Sequence, residues 1–234
     1  MKDLFTRALD AHGGLSRGRE IDAFQLKVSI GGELWRLTGL PDGLRAAPRR
    51  VQAHRPRVTI TPFGGEARTG HCTPDRVWIE EAKGGVVEER AAPRASFAGH
   101  VLTTPWDTLQ ARSFVSYALW NSLDIPFVCT APGFETRESG PHEEHGETWH
   151  RLLVKYPPRI PTHCAEQVLS CNAHGFLQRL DYAVDVVGDT VAGAAAHDCF
   201  DHTPFGSLVI PTLRRVVSRT PKGAVCSGPT VVLL

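Results

Sequence analysis

From Ala23 onward, apolar and polar residues alternate at period two through a series of short segments: AFQLKVSI, GGELWRLTG, RVTITPF, RVWIEEAKGGVVEER, TWHRLLVKY, EQVLSCNAHGFLQRLDYAVDVV, AHDCFDH and LVIPTLRRVV. A period of two sends successive side chains to opposite faces of a strand, so each segment is predicted to be a strand with one face buried. Gly, Pro and Asn punctuate the series, and Lys83-Gly84-Gly85 and Asn172-Ala173-His174-Gly175 read as hairpin turns. Successive hairpins predict an antiparallel meander.

Two stretches carry helical spacing instead. Residues 2–12 place Leu4, Phe5, Ala8 and Leu9 on one side of a helix that stops at Gly13-Gly14. Between Thr104 and Pro126 a helix is predicted over about 107–123, with Asp107 capping its start and Gln110 completing a box-like pattern. In it Phe114, Tyr117, Ala118, Trp120 and Asn121 recur at spacings of three and four, which predicts one aromatic buried face. The run GFETRESGPHEEHG, 133–146, is polar and reads as a loop or lid. The fold class that follows is mainly β (α+β), a large curved antiparallel sheet with helices packed in its concave face around an apolar cavity.

Composition narrows this picture. A chain of 234 residues can bury a sizeable core, and one domain over 1–234 is expected. The 26 Lys and Arg nearly cancel the 25 Asp and Glu, so no global field attracts nucleic acid or an anionic surface. The apolar runs are too short for a membrane-spanning helix, and MKDLFTRALDAHGG lacks the apolar centre of a secretory signal, which predicts a cytoplasmic protein. The 6 cysteines are scattered without a C-x-x-C pair and are expected to be reduced. Edge strands of an open sheet invite pairing, but nothing in the sequence specifies an oligomeric state.

The segments PRASFAGH (93–100), PWD (105–107), SYALWN (116–121), GETWHRLLVKYP (146–157), PTHCAEQ (161–167), HGFLQRLDY (174–182), AAHDCFDH (195–202) and IPTLRRV (210–216) resemble those of an uncharacterised bacterial family that looks like a relative of the LolA-type lipoprotein carriers. The resemblance runs from Leu4 to about Val217. It implies an unclosed half-barrel of about eleven antiparallel strands, with helices in the concave face over an apolar ligand cavity. It gives a cavity and no chemistry.

Candidate chemistry concentrates in a few places. HDCFDH, 197–202, is dense in potential ligands, but on a strand His197, Cys199 and Asp201 face one way while Asp198, Phe200 and His202 face the other. Half a transition-metal site is the most that one face offers, zinc sites need three or four ligands, and no metal is expected. The competing readings for His197 and His202 are a solvated strand face and the cavity wall. His100 and His163 sit at element boundaries from which an imidazole can reach a pocket mouth, and an imidazole suits proton transfer at cellular pH. Asp181 and Tyr182 alternate, with Tyr182 expected inward for its apolar body. These five residues, His100, His163, His197, His202 and Tyr182, are the catalytic candidates.

Binding candidates are Trp35 on an early segment and Tyr117, Trp120 and Asn121 on the inserted helix, where an amide among aromatics needs a partner. Arg215, of the doublet Arg214-Arg215, could hold a carboxylate or enolate through its fork, against the plain reading of a surface pair. No serine elbow, phosphate loop or dinucleotide fingerprint is present. The expected activity is that of a cytoplasmic enzyme that binds a hydrophobic, oxygenated small molecule and moves protons without a cofactor, in a cyclisation, isomerisation or elimination. The alternative is a non-catalytic carrier or sensor of lipid-like ligands.

Overall fold

The computed structural model describes residues 2–40, 44–63, 65–144, 146–188, 194–220, 224–226 and 228–233. Its first helix, α1 (Leu4–Ala11), starts where the Asp3 carboxylate accepts from the Thr6 amide at 2.7 Å, and it buries Leu4, Ala8 and Leu9. After the Gly13-Gly14 turn a second short helix, α2 (Leu15–Glu20), leads into β1 (Ala23–Ile30). The segment GGELWRLTG departs from expectation, because Glu33–Leu37 forms a helix, α3, that buries Leu34 and Trp35. Gly32 explains the break. It sits at φ 118°, and a Cβ there would lie 2.5 Å from the Val231 carbonyl. The C-terminal chain returns so close to this point that the strand cannot continue past it.

Among the described residues the strands form two antiparallel sheets, one of six strands and one of seven. The first holds β1, β2 (Leu44–Gln52), β3 (Val58–Ile60), β4 (Arg68–Cys72), β5 (Arg76–Glu81) and β6 (Val86–Ala91) in chain order. The second runs from β7 (Glu135–Glu144) through β8 (Glu147–Lys155), β9 (Glu166–Cys171), β10 (Leu177–Ala183), β11 (Ala194–Phe205) and β12 (Leu208–Ser218) to β13 (Val232–Leu233). The polar run expected to be a loop or lid is β7. Its exposed, charge-rich side chains belong to an edge strand, where charge discourages pairing with another chain. His145, inside that run, lies outside the described residues.

The inserted helix, α4 (Thr108–Asp124), begins with a complete capping box: Gln110 N donates to Asp107 at 2.8 Å and Asp107 N donates to Gln110 Oε1 at 3.0 Å. Asp107 also receives Arg90 of β6 at 2.7 Å, tying the helix start to the first sheet. Asp107→Ala is expected to cost about 1–2 kcal/mol, seen as an earlier midpoint in chemical denaturation, because it removes the cap while the half-exposed ion pair adds little. A midpoint unchanged from wild type would refute that role.

Instead of burying one aromatic face, α4 is buried almost all round, since it lies between the two sheets. Arg112 is fully buried and donates to the carbonyls of Val58 and Gly70 at 2.8 and 2.7 Å. Trp120 Nε1 donates to Gln52 O at 2.9 Å. These contacts fasten one side of α4 to the first sheet. On the other side Asn121 Nδ2 donates to Pro161 O at 2.8 Å, and Arg214 of β12 donates to Ser122 O. No described helix is long and apolar enough to cross a membrane.

Candidate functional site

Among the described residues the two sheets join at β13. β13 pairs with β12 through Arg215–Leu233 and Val216–Val232, and Leu233 exchanges hydrogen bonds with Gly31 at 2.9 and 3.0 Å. Beyond that junction β1 and β12 diverge, and α4 floors the gap. The result is a cleft of about 550 Å³, within the range of about 300–1,000 Å³ usual for small-molecule sites. Phe24, Leu26 and Val28 wall it from β1, Leu119 and Leu123 from α4, and Ile210 from β12. The β1 side chains follow the period-two pattern but stay half-buried, because no strand covers them. Phe205, more than half exposed, stands at the rim.

One charged side chain lines this apolar space from within the buried layer. Arg214 is 5% exposed, donates to Ser122 O, and has Cys199 Sγ 3.2 Å from its Nη1. No carboxylate among the described residues forms an ion pair with it. Burial pushes the Cys199 thiol up from its ordinary range, so the sulfur stays protonated and leaves the guanidinium charge uncompensated. Nearby, His12 at the end of α1 is 2% exposed, and neither ring nitrogen has a partner among the described residues. Burial, with the charges of His202 and Arg214, depresses its pKa to about 4, so it is neutral at physiological pH.

A smaller hollow of about 60 Å³ lies deeper and shares Ser122 with the cleft. It has room for a few water molecules, each needing about 10–15 Å³. His163, Tyr182, His197 and Trp35 line it among aliphatic side chains. The Tyr182 ring stacks on His163 with centroids 4.3 Å apart, and its hydroxyl lies 3.2 Å from His197 Nδ1. Asp181, one residue away, takes the other face of β10 and pairs with Arg179 at 3.0 Å. Burial lowers the His163 pKa to about 3, drives His197 well below the usual imidazole range, and raises the Tyr182 phenol. General acid–base work near neutrality is most efficient when the pKa lies near the operating pH. None of these three groups meets that condition, so the cluster is a neutral polar patch, in which His163 Nδ1 and His197 Nε2 are buried without a partner among the described residues.

The remaining expected site residues scatter. His100 lies outside both cavities, edge-on to Phe97 at 5.5 Å and 3.4 Å from Gln110 Nε2. His202 packs against His12 and Phe176, with ring centroids at 5.8 and 5.3 Å. The strict alternation expected for HDCFDH breaks at Asp201, which adopts φ 53° and leaves Phe200 and Asp201 exposed in succession. Tyr117 faces His163 with ring centroids 5.1 Å apart; Trp120 Nε1 donates to Gln52 O and Asn121 Nδ2 to the carbonyls of Tyr117 and Pro161, while Asn121 Oδ1 is buried without a partner among the described residues. Arg215 lies apart from the residues that line the cleft. Its side chain points away from the cleft, pairs with Asp198 at 3.1 Å and lies over Phe200. Its neighbour Arg214, not singled out for the site, is the arginine that faces in, along with the apolar residues of β1.

No family model matches the chain, and no curated protein matches it. Solved structures do. A DUF1329 family protein from Desulfovibrio piger superposes with a TM-score of 0.55 at 12% identity, over 99% of this chain and 91% of that one. A LolA superfamily protein from Nitrosomonas europaea gives 0.51 at 13% identity, over 94% and 88%. The fold is LolA-like. A domain described as an outer membrane lipoprotein-sorting protein, from Vibrio parahaemolyticus, gives 0.49 at 10% identity, over 96% and 90%. At these identities the likeness establishes the fold alone. The expectation of a cytoplasmic protein does not hold against this LolA-like fold. That expectation rested on the first residues, which form α1 against the second sheet; how a segment packs carries no information about compartment.

Proposed function

We propose that the protein binds a hydrophobic, chain-like ligand in the cleft between β1 and β12 and holds it without chemical change, as a carrier or sensor. The observation that carries this reading is the cleft itself: about 550 Å³ of space walled on two sheets by half-buried apolar side chains and floored by α4. Side chains such as Phe24, Leu26 and Ile210 gain from covering in proportion to the apolar area removed from water, at about 25 cal/mol per Å². The LolA-like fold supports the same reading by analogy. Proton-transfer catalysis has no comparable support, because the inner histidines are too weakly basic to act near neutrality.

Binding of hexadecanol, an uncharged chain, tests the proposal. Wild type is expected to bind it, and Leu26→Trp and Leu123→Trp, which fill the cleft from positions that are not fully buried, are expected to weaken binding at least tenfold. Native mass spectrometry of protein taken from its host should show an unmodified lipid-like adduct. Full retention of hexadecanol binding by both filled variants, or no binding to wild type, overturns the cleft as the site.

A further inference from the structure

Resting on the cleft reading, we infer that the ligand is an anionic amphiphile, a long apolar chain ending in an acidic oxygen head, and that Arg214 is the residue that selects the head. The apolar walls alone would accept any hydrophobic chain. Arg214 changes the specificity, because an arginine that is 5% exposed and has no carboxylate partner among the described residues faces a space large enough for a ligand. A buried charge is costly unless paired. Its protein contacts, Ser122 O and Cys199 Sγ, account for two of its five N–H donors, and both acceptors are uncharged. An oxyanion seated beside it would supply the missing countercharge, and the planar fork can bind two oxygens of one head group at once.

The surroundings favour an anion over a cation. Among the described lining residues Lys27 is the other charged one, and Arg214 and Lys27 are both positive. His12 and His202 stand behind Arg214 as neutral imidazoles, each with at least one buried ring nitrogen without a partner. They repel no anion. On the opposite face of β12, Arg215 is already paired with Asp198 and half exposed, so the two adjacent arginines have different work.

Affinities of palmitate, palmitoyl lysophosphatidate and hexadecanol, measured calorimetrically on the full chain, decide the matter. Wild type is expected to bind at least one acidic amphiphile tenfold or more tighter than hexadecanol, and which of the two wins identifies a carboxylate or a phosphate head. Arg214→Gln should bring acidic amphiphiles down to the hexadecanol level while hexadecanol binding persists; Arg215→Gln should change neither. Equal wild-type affinities for acid and alcohol overturn the selector while leaving the cleft intact, and this comparison needs no variant to fold. Unaltered preference in Arg214→Gln also overturns it. Competition by acetate or inorganic phosphate as effective as by the amphiphiles would mean a plain anion site, against the proposal. Failure of all three chains to bind wild type instead refutes the cleft reading beneath it.

Discussion

Arg179→Met is expected to lower the stability of the folded chain by about 3–5 kcal/mol at neutral pH, the usual cost of removing one partner from a buried ion pair. Arg179 is 2% exposed on the face of β10 turned away from the cleft. Its guanidinium lies 3.0 Å from Asp181 and 2.8 Å from Glu144, under the ring of Trp149. Burial pushes the Asp181 carboxyl up, while Arg179 and then Arg219 pull it down. With Arg179 gone, Arg219 at 3.8 Å and the weaker influence of His142 are left to offset the Asp181 charge. Asp181 would then protonate more readily, so the deficit should shrink as pH falls. Urea denaturation across a pH series measures it. A double change with Asp181→Asn should recover part of the loss, because it removes the charge that Arg179 had compensated. A deficit under 1 kcal/mol, or one independent of pH, would show that the pair adds nothing beyond packing.

The sequence showed this fold where burial of one face leaves a period of two. TWHRLLVKY reads as β8 because Leu152 and Val154 must be covered while their neighbours need not be, and Asp107 with Gln110 marks the start of α4 through purely local hydrogen bonds. Three features stayed hidden because distant contacts decide them. The break after Ile30 depends on Val231 returning against Gly32. β7 is polar along most of its length, and only pairing with β8 makes it a strand. The choice between Arg214 and Arg215 is invisible locally because Val216 and Val217 are both buried, which erases the parity of β12. The register that sets Arg214 opposite Cys199 resolves it, and that register belongs to β11. The cleft is likewise a property of strands that fail to meet, for which a single strand carries no signature.

Asp124→Asn is expected to raise stability above pH 7 and to leave it nearly unchanged below pH 4. Asp124 ends α4, is 5% exposed, and forms no ion pair among the described residues; burial raises its carboxyl from 3.8 to about 7. A carboxyl whose pKa is higher in the folded chain than in the unfolded one favours folding when protonated. Its contribution is therefore fully present below 3.8, declines as pH rises, and is gone above about 7. The interval between those values corresponds to on the order of 4 kcal/mol. The last turn of a helix also presents carbonyl oxygens, which disfavour a negative charge there. Asparagine has the shape of the protonated acid and cannot ionise, so the variant lacks this decline. The buried histidines pull the other way. His163 at about 3 and His12 at about 4 cost stability as pH falls below 6.5, where the unfolded chain takes up protons that the folded chain refuses. Because they act alike in both proteins, the difference between the wild-type and variant denaturation curves isolates Asp124. That difference should rise from near zero at pH 4 to a plateau above pH 7, and a flat difference across the range would mean that Asp124 ionises in the fold without penalty.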